Sequence, residues 1–182
     1  GKYTALYNFD VIQKELTKFL ADSCNNFTLN FSKNGEQIAY LSDCQENTAQ
    51  IFIADLNGEN RKQITKSSSA EETKTRPVFS PDGKKLAFTT LPFEGDILAE
   101  ESNVYLTDLA GNEELVTHGA MPLFAPDGKH LLILKNPGLY LVDIETKEAE
   151  RVIELRDENQ ELIIGKINMM ISLSPSGEKL AI

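Results

Sequence analysis

The chain is poor in the residues from which many catalytic and structural centres are built. Only two histidines and two cysteines occur among its 182 residues. Two cysteines are too few for a disulfide scaffold. The sequence contains no G-x-S-x-G nucleophile elbow, no H-E-x-x-H, no C-x-x-C and no P-loop. We therefore expect a protein that is not an enzyme and that has no catalytic residues, no metal site and no cofactor.

Long apolar runs and an excess of basic residues are also lacking. No apolar run approaches the length of a membrane-spanning helix. Acidic residues number 28 against 18 basic ones, which gives a net charge of −10. Nucleic acids and anionic membrane surfaces bind basic proteins, so this balance disfavours both as partners. An acidic balance suits a basic partner, a cation or simply solubility.

A short motif is present four times. It reads FSKNG from Phe31, FSPDG from Phe79, FAPDG from Phe124 and LSPSG from Leu173, and an apolar run follows each copy. The copies recur every 45 to 49 residues. Self-similarity at such a period indicates a repeat architecture.

Each full repeat predicts four short antiparallel strands, which we name a, b, c and d. Strands a and b flank the motif, whose Pro and Gly residues suit a tight turn. Strand c carries an aromatic residue, two further residues and an aspartate, which is Asp55, Asp108 or Asp143 in successive repeats. Asp10 ends a further copy of this pattern near the beginning of the chain. Residues 11–21 have helix-like spacing, but the repeat alignment predicts strand d there.

Four-stranded sheets arranged around an axis form a β-propeller. The sequence begins with strands c and d and ends with strands a and b, so the two halves complement each other. We therefore predict a single all-β domain of four blades, the last one stitched from both ends. The alternative is a fragment of a propeller with six to eight blades. The predicted blades span residues 26–66, 75–117, 120–154, and 168–182 together with 1–20.

The core F-S-P-D-G-x-x-[ILV]-A-[FY] resembles the TolB-type propeller repeat, a WD-repeat-like family. The copy at Phe79 matches throughout, whereas Lys33 and Asn34 replace Pro and Asp in the first copy. The resemblance implies a protein-binding or scaffold role and a periplasmic or extracellular location. It also implies an alternative, an accessory propeller or fragment that gates a peptidase or hydrolase. A further alternative, a small lyase or hydrolase that uses a loop-bound cation, comes from the carboxylates of the long loops and not from the resemblance.

The motif aspartates Asp82 and Asp127 are interpreted as turn residues, because Asn and Ser occupy the equivalent positions in other repeats. His130 aligns with polar residues at the start of strand b and is interpreted as a solvated residue. His118 follows a strand d and is the better candidate for binding. A lone histidine is no zinc site, which needs three or four convergent ligands.

Two long connections, residues 91–102 and 154–167, combine acidic with apolar residues. Long loops in compact folds are often functional, and apolar side chains rimmed by charge are typical of protein-binding patches. The alternative is that these loops are solvated and that their apolar residues pack under the ring. The candidate binding residues are Phe93, Glu94, Asp96, Leu98, Glu100, Glu101, His118, Asp157, Glu158 and Glu161.

Cys24 and Cys44 lie on either side of the first a–b hairpin. If Phe31 faces Glu36 across the turn, Cys24 falls opposite Asp43, one residue away from Cys44. A bulge or twist would bring the two sulfur atoms together. A disulfide in an oxidising compartment and a pair of free thiols both stay open at this point.

Overall fold

The structure is a computed structural model. It describes residues 3–20, 22–44, 48–66, 72–92, 102–156, 159, 161, 171–174 and 176–181. The regular elements in these ranges are β-strands, which confirms the all-β prediction. Residues 15–20 form a strand and not a helix, as the repeat alignment predicts. No helix that could span a membrane occurs in the described ranges.

Three four-stranded antiparallel sheets follow an N-terminal pair of strands. The pair comprises β1 (Leu6–Asp10) and β2 (Glu15–Leu20). The first sheet comprises β3 (Asn26–Phe31), β4 (Gln37–Ser42), β5 (Gln50–Asp55) and β6 (Lys62–Gln63). The second comprises β7 (Glu72–Phe79), β8 (Lys85–Pro92), β9 (Asn103–Asp108) and β10 (Glu113–His118). The third comprises β11 (Ala120–Phe124), β12 (His130–Lys135), β13 (Gly138–Asp143) and β14 (Ala149–Glu154). Strand order within each sheet is sequential.

The last two strands, β15 (Ser172–Leu173) and β16 (Leu180–Ala181), form a second separate pair. Among the described residues β1 and β16 belong to different sheets, so the two terminal pairs do not join there into the stitched fourth blade. Leu6 and Phe19 pack against the first sheet, whereas Ile171 and Leu180 pack against the third.

Strand b of each complete sheet is buried on both faces. In β4, Ile38 and Tyr40 face the N-terminal pair, and Ala39 and Leu41 face the second sheet. In the same way Leu86 and Ala87 of β8 face opposite neighbours. A strand covered on both sides needs apolar side chains at successive positions. This explains why the run after each motif is continuously apolar instead of alternating.

The motif turns are held by side-chain oxygens. The Ser80 hydroxyl donates to Asp82 Oδ1 at 2.7 Å, and Gly83 N donates to Ser80 O at 2.9 Å with the glycine at φ 71°. The hydrogen bond from Ser80 holds the pKa of Asp82 below its ordinary value. Asn34 and Ser176 accept or share the equivalent serine contact at 2.8 and 3.3 Å. The structure confirms the prediction that the residue at this motif position stabilises the turn.

The aspartates that end strand c stabilise the c–d turns. Asp10, Asp108 and Asp143 each accept two backbone N–H groups of the following turn at 2.8 to 2.9 Å. Asp55 instead accepts from the side-chain amide of Asn60. A short polar side chain that bonds to the backbone two residues on is a common turn former.

Strand a contains a bulge at the same repeat position in all three sheets. The residue three places before the motif aromatic has a positive φ, namely 48° at Thr28, 54° at Arg76 and 56° at Met121. The pairing register between strands a and b shifts at each of these points. Bulges of this kind bend a strand and increase its twist.

The a strands of successive sheets lie side by side. Phe79 N donates to Asn30 Oδ1 across two sheets at 3.0 Å. Phe31, Phe79, Phe124 and Leu173, which are equivalent in the repeats, line one cavity of about 380 Å³. Strand a is therefore the innermost strand, and this cavity lies on the axis of the arrangement.

Candidate functional site

Strand pairing separates the two ends of the sheets. At one end Lys85 pairs with Asp108, next to the a–b and c–d turns. At the other end Thr90 pairs with Asn103, and Asn103 pairs with His118. This second end carries the b–c and d–a connections, and we call it the connector face. The connections lie around residues 20–26, 43–49, 66–72, 92–102, 118–120, 135–138 and 155–171.

Most of the predicted binding residues lie outside the described residues. These are Phe93, Glu94, Asp96, Leu98, Glu100, Glu101, Asp157 and Glu158. His118 is described and exposed, as the last residue of β10 on the connector face. Glu161 is also described and exposed. The binding role of all ten residues stays a prediction.

Cys24 and Cys44 form a disulfide on the connector face. The hairpin has a longer turn than the sequence analysis assumed, because Phe31 pairs with Ile38 and not with Glu36. The bulge at Thr28 then shifts the register by one residue. Cys24 therefore comes directly opposite Cys44, with the two Cα atoms 5.0 Å apart, instead of opposite Asp43.

The two carboxylates beside the disulfide, those of Asp22 and Asp43, form contacts that hold neighbouring segments together. Asp22 forms an ion pair with Arg61 at 2.6 Å and accepts the amide of Asn26 at 2.8 Å. Asp43 accepts both the backbone N–H and the side-chain amide of Asn25 at 2.7 Å. These contacts fix the beginning of β3 and the end of β4. They leave the two aspartates as structural groups of the connector face.

The same corner contains a group of side chains at metal-binding distances. Ligand atoms of Asp22, Cys24 and Cys44 lie within 4.8 Å of one another. Metals bind cysteine as the thiolate, and both sulfur atoms are consumed by the disulfide. This group is therefore not a cation site in the oxidised protein.

A buried lysine braces the second sheet. Lys74 of β7 is 2% exposed, and its Nζ donates to the carbonyl of Lys66 at 3.0 Å. Desolvation raises the pKa of the Glu113 carboxyl, and the positive charge of Lys74 acts in the opposite direction. A buried ammonium is stable only when it is paired and hydrogen-bonded. The Lys74 side chain therefore ties the connection that leaves the first sheet to the core of the second.

Backbone contacts support the other connections. Gly119 N donates to Ser102 O at 2.9 Å, and Leu155 N donates to Pro137 O at 3.0 Å. Next to Leu155 in the chain, Arg156 forms an ion pair with Glu154 at 2.5 Å. The connector face thus has a rigid base from which the longest loops emerge.

The opposite end holds a half-buried histidine. His130 Nδ1 lies 2.7 Å from Asp127 Oδ2, and Nε2 lies 3.7 Å from Asp143 Oδ2. The side chain of His130 is 33% exposed, so it is partly solvated, and it also has two carboxylate neighbours. The first residue of strand b is flanked by the motif aspartate and by the aspartate of strand c, so a basic residue there gains two acidic neighbours.

No protein-family model matches the chain. Among solved structures, TolB from Acinetobacter baumannii is similar over 97% of this chain and 42% of its own length, with a TM-score of 0.68 and 18% identity. An oligogalacturonate lyase in complex with manganese is similar over 94% of this chain and 48% of its own, with a TM-score of 0.65 and 14% identity. Dipeptidyl peptidase 4 from Porphyromonas gingivalis is similar over 85% of this chain and 29% of its own, with a TM-score of 0.59 and 15% identity. The chain spans less than half the length of these proteins, and its fold is a TolB-type β-propeller repeat fold.

Proposed function

We propose that the protein is a non-enzymatic binding module that recognises a basic protein partner on the connector face. The observation that carries this proposal is the rigid base of that face. A disulfide, a buried lysine and paired backbone groups hold the ends of the strands from which the long connections leave. A fixed framework that supports variable loops is a common arrangement for recognition sites.

The sequence of the connections supplies the chemistry of recognition. Glu94, Asp96, Glu100 and Glu101 give residues 93–101 four acidic groups. Phe93 directly precedes them, and the apolar Ile97 and Leu98 lie between them. Acidic groups around an apolar anchor steer a basic partner during encounter and exclude acidic ones. Aromatic residues are frequent among the positions that contribute most binding energy.

The test compares two synthetic peptides with equal length and equal apolar content, one rich in lysine and one rich in glutamate. We expect the lysine-rich peptide to bind, with an affinity that falls as salt is added. The double variant Glu94→Lys with Asp96→Lys should lower this affinity. The matched control is Glu145→Lys with Glu148→Lys, which changes the net charge equally at the opposite end of the third sheet.

Fluorescence anisotropy of labelled peptides measures both affinities. An equal loss of affinity in the two double variants would show that net charge alone attracts the peptide, and the proposed face would be rejected. Absence of binding to either peptide would reject the basic partner. In a second pair of variants, Phe93→Ser and Leu98→Ser should weaken binding with little change in its salt dependence.

An accessory propeller of a peptidase or hydrolase is the second candidate. It is supported by the likeness to dipeptidyl peptidase 4, of which the chain covers 29%. A reading frame that continues into a hydrolase domain would favour this candidate over a free-standing binding module. Activity of the combined chain that is unchanged by deletion of residues 93–101 would count against a gating role for the connector face.

A lyase or hydrolase that uses a loop-bound cation is the third candidate. It is supported by the likeness to an oligogalacturonate lyase that was solved with manganese. A bound cation stabilises the folded state and raises the melting temperature. If manganese and a chelator leave the melting temperature unchanged, this candidate is rejected.

A periplasmic or extracellular location agrees with the disulfide, because such bonds persist in oxidising compartments. Alkylation of free thiols in protein taken directly from cells tests this. Protected Cys24 and Cys44 are expected, and full alkylation would contradict the proposed location.

A further inference from the structure

The corner around the Cys24–Cys44 disulfide gathers polar side chains on one face of the first sheet. Cys24 lies two residues before Asn26, and Cys44 lies two residues after Ser42. Asn26 pairs with Ser42, and side chains two residues apart along a strand point to the same face. Ser42 is also two residues beyond Tyr40, which packs on the side of the N-terminal pair. The four side chains therefore face the cleft between that pair and the first sheet.

Two side-chain oxygen atoms in this cleft are buried and have no hydrogen-bond partner among the described residues. They are Asn26 Oδ1 and Ser42 Oγ, and the two residues are only 1% and 2% exposed. Buried polar atoms are nearly always hydrogen-bonded, and one without a protein partner indicates a bound water or ion beside it. The two oxygens therefore point to a small polar ligand next to the disulfide.

The carboxylate of Asp22 is held beside the sulfur atoms by three contacts. Its Oδ1 accepts the backbone N–H of Cys24 at 3.2 Å and the amide of Asn26 at 2.8 Å, and its Oδ2 forms the ion pair with Arg61 at 2.6 Å. One oxygen of this carboxylate and the Sγ atoms of Cys24 and Cys44 lie within 4.8 Å of one another. A carboxylate has about four acceptor positions, so one stays open for a further partner. Contacts of this kind orient the ligands of metal sites.

We propose that, once the disulfide is reduced, this corner binds one Zn²⁺ ion through Cys24 Sγ, Cys44 Sγ and an oxygen of Asp22. Thiolates and carboxylates are typical zinc ligands, and a zinc ion with three protein ligands keeps a fourth position for water. The two thiolates favour zinc over the hard cations magnesium, calcium and manganese. A water in the fourth position would donate to a buried oxygen of Asn26 or Ser42.

The exchange between the two states balances in atoms and in charge. A dithiol reductant supplies two electrons and two protons, becomes a disulfide itself and leaves Cys24 and Cys44 as thiols. Zinc binding then releases both protons, because the metal binds the thiolates. The two thiolates and the Asp22 carboxylate carry three negative charges, which Zn²⁺ and the Arg61 guanidinium cancel. In the oxidised corner, Asp22 and Arg61 cancel each other.

The disulfide and the zinc ion exclude each other, but they hold the same segments together. Either one ties the beginning of β3 to the end of β4, so the base of the connector face is kept in both states. The proposal does not depend on the proposed function.

The first test is a titration of the reduced protein with Co²⁺, in the absence of oxygen and after removal of the reductant. Cobalt bound by thiolates absorbs light through sulfur-to-metal charge transfer, which reports the sulfur ligands directly. We expect this absorption to saturate at one ion per chain, with two protons released per ion, and to disappear when Zn²⁺ displaces the cobalt. The oxidised protein should show no such absorption.

The second test compares Asp22→Asn with the matched control Asp43→Asn. Both variants replace a carboxylate beside the disulfide by an amide, but only Asp22 belongs to the group of ligand atoms. Zinc affinity of the reduced protein, measured by competition with a coloured chelator, should fall about tenfold or more for Asp22→Asn, since even the loss of a supporting group has this effect. It should stay nearly unchanged for Asp43→Asn. Both variants keep the disulfide, so their folding is checked by circular dichroism before reduction.

The third test is thermal melting. Zinc should raise the melting temperature of the reduced unmodified protein, because a ligand stabilises the state that binds it. It should leave the melting temperature of the oxidised protein unchanged.

Three results would overturn the proposal. Absence of charge-transfer absorption in the reduced protein would show that the sulfur atoms do not bind the metal. An equal loss of zinc affinity in Asp22→Asn and Asp43→Asn would show that the negative charge of the corner attracts the ion without a defined site. One ion for every two chains would show that the thiolates bind metal between molecules.

Discussion

Loss of the Cys24–Cys44 disulfide should destabilise the protein by a predictable amount. The bond joins residues 20 positions apart. Closing a loop of this size removes conformational entropy from the unfolded chain that corresponds to about 3 kcal/mol. For a protein of this length, such a change lowers the melting temperature by about 6–12 °C.

The perturbation is the double variant Cys24→Ala with Cys44→Ala, compared with the unmodified protein before and after reduction. Urea denaturation gives the free energy of unfolding in each case, and calorimetry gives the melting temperature. The reduced protein and the double variant should agree with each other. The double variant treated with reductant controls for any effect of the reagent itself.

Hydrogen exchange locates the change. The disulfide stands where β3 begins and β4 ends, so amide protons of these two strands should lose the most protection. If oxidised and reduced protein unfold at the same urea concentration, the loop-closure reasoning is refuted. Equal loss of protection in all three sheets would refute the assignment of the bond to the base of the first one.

Two further predictions concern single turns. Gly177→Ala should destabilise the C-terminal pair more than Gly83→Ala destabilises its own turn. Both glycines have positive φ, but a new Cβ at Gly177 would lie 2.6 Å from the ring of Pro126, whereas a new Cβ at Gly83 would meet no atom within 4 Å. Limited proteolysis and thermal melting compare the two variants. Hydrogen bonds from Thr146 and Glu145 hold the pKa of the Asp143 carboxyl below its ordinary value of 3.8, so the stability it contributes is present above that value and is lost as the pH falls through the lower folded-state pKa. Asp143→Asn keeps an oxygen that accepts hydrogen bonds but has no titrating group. As the pH is lowered, the melting temperature of this variant should therefore fall less steeply than that of the unmodified protein or of a Glu145→Gln control. An unchanged slope would contradict the reasoning.

Much of the fold was predictable because the repeat has a chemical signature at each step. Continuous apolar runs mark strands that are covered on both faces, and the motif Gly marks a turn that requires positive φ. Comparison between repeats also decided between helix and strand for residues 15–20, where spacing alone favoured a helix. Four copies of one pattern constrain each other in a way that a single copy does not.

The pairing register was not predictable, and the reason lies in strand a. Thr28, Arg76 and Met121 adopt positive φ although none of them is glycine, and no common residue type marks the position. The surrounding sheets impose this conformation. The bulge shifts every partner beyond it by one residue, and the a–b turn, which is longer than expected, shifts them by two in the opposite direction. The net shift of one residue places Cys24 opposite Cys44 and not opposite Asp43.

The candidate site was predictable only in its chemistry. Acidic and apolar residues in long connections indicate a binding surface from sequence alone. The base of that surface depends on contacts between distant segments, such as Lys74 Nζ with the carbonyl of Lys66. Nothing in the local sequence distinguishes this buried lysine from a solvated one.

One physical requirement connects the stability of the fold with its repeat. Strand b of each complete sheet is covered on both faces by neighbouring elements. On strand d the cover differs between sheets, because Ile64 of the first sheet is 4% exposed and its equivalent in the third sheet, Val152, is 57% exposed. Burial of such residues contributes roughly 25 cal/mol for each Å² of apolar surface removed from water. The stability that each sheet contributes therefore depends on the neighbour that packs against it. In contrast, the connector face, where the repeats differ most in sequence, can vary its loops without disturbing that packing.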